Sequence, residues 1–121
     1  MATTSNRSIS IATTQASAPG FTATNTYSAA ANTVSPGQTD LVTLASGANT
    51  ITPPAGGSTP KACTIIPPAS NIITITLKGV TGDTGVSLHL TDPSSIALGS
   101  PTATFVLTAG AELAGVRLIW T

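Results

Sequence analysis

Asn71-Ile72-Ile73-Thr74-Ile75-Thr76-Leu77-Lys78-Gly79 sets the fold class. Ile73, Ile75 and Leu77 alternate with Thr74, Thr76 and Lys78. This repeat of two puts apolar side chains on one face of an extended strand and polar ones on the other. Val80 to Gly85 is a connection, and the alternation then resumes with Val86, Leu88 and Leu90 against Ser87 and His89. Thr91-Asp92-Pro93-Ser94 reads as a turn, Ile96 to Leu98 as a short strand, and Gly99-Ser100-Pro101 as another turn. Ala103, Phe105 and Leu107 alternate with Thr104, Val106 and Thr108. After Ala109-Gly110, Val116, Leu118 and Trp120 alternate with Arg117, Ile119 and Thr121.

The same texture extends back towards the N-terminus. Ala62 to Ile66 is a strand stopped by Pro67-Pro68, and Asn49 to Thr52 one stopped by Pro53-Pro54; proline cannot donate to a ladder, so it marks strand ends and edges. Leu41 to Leu44 is a further strand, closed by Ser46-Gly47. No stretch of ten or more residues carries a helical stripe. Strands of about five residues recurring every 8–12 or so predict an all-β chain, an antiparallel β-sandwich or jelly-roll-like domain of about eight strands. That domain is expected over residues 40–121.

Residues 1–39 form a low-complexity N-terminal arm rich in Ser, Thr and Ala, with Arg7 its only charge. Pro19-Gly20 and Pro36-Gly37 punctuate it. A solvated tail is one reading. An extended arm that orders against a neighbouring subunit is favoured, because Phe21 and Tyr27 are costly to leave in water. Part of the arm could equally supply the first strand of the domain.

Charged residues make up 7% of the 121, four basic and four acidic, for a net charge of zero. Soluble domains average about 25%. Charge keeps proteins apart in solution, so such a surface favours association. Scattered cations make no basic patch, which argues against a nucleic-acid partner. No apolar run approaches the roughly 20 residues that cross a bilayer, so no membrane partner is expected. The first residues lack the apolar segment of about 7–15 residues of a secretory signal. A lone Cys63 allows no disulfide within the chain. Synthesis in a reducing host cytoplasm, followed by incorporation into a virion, reconciles these features.

Chemistry-bearing motifs are few. Asp83-Thr84-Gly85 spells the triplet of retroviral-type aspartic proteases, but Thr81-Gly82 stands where that family has apolar residues, and a Gly-Asp-Thr-Gly turn accounts for it. His89 lies on the polar face of its strand, and one His with one Cys makes no metal set. Asp83 and Asp92 flank one strand from opposite ends, which argues against a shared calcium. No Ser-His-Asp set is credible with so few Asp and His. Cys63 reads as a small buried hydrophobe. Gly56-Gly57 lacks the spacing of a phosphate loop. No catalytic residue, cofactor or metal is therefore expected, and the chain is read as a non-enzyme. Trp120 is read as core or interface rather than a sugar platform.

Ile75-Thr76-Leu77-Lys78-Gly79-Val80-Thr81-Gly82-Asp83-Thr84-Gly85, followed by a Pro-containing turn, Phe105-Val106-Leu107 and Val116-Arg117-Leu118-Ile119-Trp120, resembles segments of small virion proteins of tailed bacteriophages over residues 71–121. The resemblance rests on strand and turn residues. It implies a capsid decoration, or cement, protein: a homo-oligomer, with a trimer favoured, that braces the major capsid protein on the outer head. A head-fibre, tail or neck structural protein, or a glycan-binding virion module, is the alternative. The interface residues expected are Phe21 and Tyr27 in the arm, and Ile119 and Trp120 on the last strand.

Overall fold

The computed structural model describes residues 3–5, 8–14, 22–28, 32–34, 38–54, 60–80, 82–99 and 104–121. Among them every regular element is a strand: β1 (Thr3–Ser5), β2 (Ser8–Thr14), β3 (Thr22–Ser28), β4 (Asn32–Val34), β5 (Gln38–Leu44), β6 (Gly47–Ile51), β7 (Ala62–Ile66), β8 (Ile75–Lys78), β9 (Val86–Ser87), β10 (Ser94–Ala97), β11 (Phe105–Ala109) and β12 (Leu113–Trp120).

Strands β5 to β12 form two four-stranded antiparallel sheets, in the orders β10-β7-β12-β5 and β6-β11-β8-β9. Only β8 and β9 are sequential neighbours in one sheet; every other step from β5 to β12 switches sheets. That is the double-sheet order of a jelly roll, built from two Greek keys. The expected sandwich of eight strands is the observed one, with β5 beginning at Gln38, two residues ahead of the boundary read from composition.

The core lies between the sheets. Leu44, Cys63, Ile65, Ile75, Leu107, Val116, Leu118 and Trp120 are all but sealed from water, and Phe105 tilts against Trp120 with ring centroids 6.1 Å apart, within the range of favourable aromatic pairs. Strand β12 keeps its apolar residues inside only by breaking its own alternation. Its pairing with β5 runs Leu113↔Leu44 and then Val116↔Val42, one extra residue on β12. Gly115 sits in this bulge at φ 80°, a left-handed conformation that glycine adopts without penalty. The bulge turns both Leu113 and the Val116-Leu118-Trp120 set inward.

Three further details depart from simple alternation. β8 starts at Ile75 rather than Asn71, because the Asn71 side chain takes over the preceding backbone. Its amide accepts from Ile73 N and donates to Ile73 O and, at 2.7 Å, to Leu90 O. Val106, on the face expected to be polar, is buried at 4% exposure within the central strand β11. β9 ends at Ser87, so Val86, Leu88 and Leu90 do not form the continuous buried stripe expected of them: Val86 and Leu90 are exposed and Leu88 is half-buried.

The N-terminal segment is β-structured but turned back on itself. β1 pairs with β4 from Thr3↔Val34 to Ser5↔Asn32, and β2 with β3 from Ser8↔Ser28 to Thr14↔Thr22. One hairpin is nested in the other as a two-stranded ribbon. Its strands pair with each other and join neither sheet of the sandwich.

Candidate interaction surfaces

The two flanks of the sandwich differ. On one, β5 passes to β6 through Ala45 and Ser46, and Asn49 binds the crossing together. Asn49 Oδ1 accepts from Ala45 N at 2.9 Å, while Nδ2 donates to Ala45 O, Gly47 O and Leu107 O at 2.9, 3.0 and 3.1 Å. Ser46 also bridges to Ala109. Asp40 accepts the Trp120 indole N–H at 3.1 Å, which satisfies a donor that would otherwise be stranded in the core.

On the other flank the sheets part. A crevice of about 670 Å³ opens between β8 and β9 of one sheet and β10 of the other, lined by Leu77, Val86, Ile96, Leu98 and Phe105, with Lys78 and Asp83 beside them. Its size falls in the range of small-molecule sites, roughly 300–1,000 Å³. Val86 stands opposite Leu77 in the ladder, and Leu77 opposite the fully buried Leu107. Residues directly opposite share a face, so Val86 lies on the inner face of its sheet. It is nonetheless 67% exposed, because nothing from the facing sheet covers it.

The loops around this crevice are held by backbone capping. Asp83 Oδ2 accepts from Val80 N at 3.0 Å and Asp83 N donates to Val80 O at 3.1 Å; Asp83 closes a turn, as the Gly-Asp-Thr-Gly reading expected. Gly85 follows at φ 78°, where a Cβ would come within 2.6 Å of Leu77 O, so no larger residue fits. His89 Nδ1 accepts from Asp92 N at 2.9 Å and Thr91 N at 3.3 Å, an acceptor role that requires an unprotonated Nδ1. The exposed Asp92 carboxylate is 3.6 Å away.

Of the four expected interface residues, the three described ones have different settings. Trp120 is 2% exposed and belongs to the core; its even register with Leu118 and Val116 aims it inward, so it offers nothing to a neighbour. Ile119 points the opposite way and is half-buried on the outer face, in register between Thr39 and Thr64. Tyr27, in β3 opposite Ile9, is 66% exposed. Phe21 lies outside the described residues. Sequence reasoning missed the crevice, because alternation places Val86 on an apolar face without saying whether a second sheet covers it.

Cys63 is sealed in the core beside β12, where burial, and secondarily the Asp40 carboxylate, push its thiol up to about 12. Such a thiol stays protonated and unreactive near neutral pH. Among the described residues no three His, Cys, Asp or Glu side chains are grouped to hold a metal ion, and no helix is long and apolar enough to cross a membrane. Comparison with protein-family models, curated proteins and solved structures returned no match.

Proposed function

We propose that this chain is a structural virion protein, a capsid decoration protein that binds the outer head beside the major capsid protein as a homo-oligomer, with a trimer favoured. One observation carries the reading: an almost uncharged jelly roll bears a two-stranded ribbon that pairs with neither of its sheets. A two-stranded hairpin alone is marginally stable in water, so the ribbon gains most by lying on another surface. Jelly rolls also build viral capsid domains. The mechanism is thermodynamic: a partner that binds only the folded form stabilises that form, and the shell is braced by the same contacts. The reading assigns the chain no catalytic step, no cofactor and no nucleic acid.

Purified virions from the host of origin test it. The chain is expected there at a fixed ratio to the major capsid protein, and particles lacking it are expected to burst at lower temperature. Its absence from purified particles overturns the proposal. Lectin domains share the jelly roll, which keeps a glycan-binding virion module as the second reading. Saturable binding of the full-length chain on a glycan array would favour that module.

A further inference from the structure

We infer that the crevice between β9 and β10 is the seat of the N-terminal ribbon of a second copy of this chain. The inference rests on the self-association half of the function proposed above.

Three features of the crevice call for an occupant made of backbone and apolar side chains. Val86 is an inner-face residue left in water, and covering such a side chain is favourable. Leu77, Ile96, Leu98 and Phe105 continue the same apolar floor. β10 is an outermost strand of its sheet, paired only with β7, and its residues Ser94-Ser95-Ile96-Ala97 include neither a charge nor a proline. Natural sheets guard such edges with charges, prolines or inward-pointing polar groups. The opposite edge of the same sheet is guarded in that way, since Asp40 on β5 turns towards Trp120. Within this sheet, β10 is therefore the edge open to strand addition.

The ribbon has the matching properties. It is built of strands, it pairs with neither sheet of its own body, and it carries Tyr27 exposed. Among residues 1–39 Arg7 is the only charge, so nothing repels it from an apolar seat. The seven residues of β2 span about 23 Å at about 3.3 Å per residue. Ribbon into crevice is a head-to-tail contact. Such contacts close into rings when the rotation permits, which is the geometry of a trimer.

The test uses purified full-length chain without virions, so its failure leaves the particle experiment intact. Isotope-labelled Tyr27→Cys chain is mixed with unlabelled Val86→Cys chain and oxidised. The native Cys63 does not compete, being buried and protonated. A disulfide joining position 27 of a labelled chain to position 86 of an unlabelled one is the expected result. A link only between two copies of position 27, or no link, overturns the inference. So does a 27–86 link formed within single chains of the double variant at high dilution, which would seat the ribbon on its own body. Independently, in Val86→Lys the mass in solution should fall towards the 11.9 kDa of one chain, while the far-ultraviolet signature of the strands is unchanged. An unchanged oligomer in Val86→Lys also overturns it.

Discussion

The β5/β6 flank and the β9/β10 flank are the two ends of the same sandwich, and they are built on opposite principles. On the first, two residues carry the chain from one sheet to the other, and the Asn49 amide and the Asp40–Trp120 hydrogen bond fasten the flank. On the second, residues 88–93 separate the strands. Asn71 pins that longer passage at Leu90 O, but the sheets still part far enough to leave Val86 in water. A short crossover forces two sheets together, and a longer one lets them splay. Closure of a β-sandwich is thus set as much by connection length as by the apolar content of its strands.

The sharpest way to break the closed flank is Trp120→Ala. It removes the largest core side chain and leaves Asp40 without the indole donor, so a loss of about 3–5 kcal/mol is expected, read from the denaturant midpoint. Loss below about 1 kcal/mol would mean that the indole and its hydrogen bond to Asp40 do not anchor this flank. Next come Asn49→Ala and Asn71→Ala, each expected to cost about 1–3 kcal/mol through stranded backbone groups. Hydrogen exchange should distinguish them: Asn49→Ala should expose β6, and Asn71→Ala the segment leading into β8. Identical exchange patterns would show that the two flanks are not independent.

A third test concerns alkaline pH. The unfolded chain releases the Cys63 proton near the ordinary 9.0, whereas the folded chain holds it to about 12. The folded state therefore binds more protons across that window, so the contribution is complete below about pH 9 and is lost as pH rises towards 12. Cys63→Val should flatten this part of the stability profile, and an unchanged slope would show that the thiol ionises as readily in the fold as outside it. The smallest effect is expected at the open flank. In the dissociated single chain at high dilution, Val86→Ser should change stability by less than about 0.5 kcal/mol, as at other exposed positions. A larger loss there would mean that the chain's own residues close the crevice.

Much of the architecture could be read before any coordinates. Ala62 to Ile66 matches β7 residue for residue, because prolines stop it on the far side and its apolar run is unbroken. The inward set Val116, Leu118 and Trp120 was legible from alternation. Leu113 was not, since it joins that set only through the bulge at Gly115. The ribbon was legible as extended structure but not as a nested hairpin, because runs of Ser, Thr and Ala specify pairing register weakly. Of the candidate surfaces, Tyr27 could be named in advance. The crevice could not, because it is a space between two sheets and belongs to no single strand.

Local patterning by itself determined that the chain is all strand and turn, nearly uncharged, and apolar on alternate residues, because a side-chain period of two and proline or glycine punctuation act over a few bonds. Tertiary structure alone decided which apolar faces meet. Trp120 faces the opposing sheet and Val86 faces water, although both follow the same alternation. The difference lies in non-local strand order and crossover length, and no short window of residues encodes either.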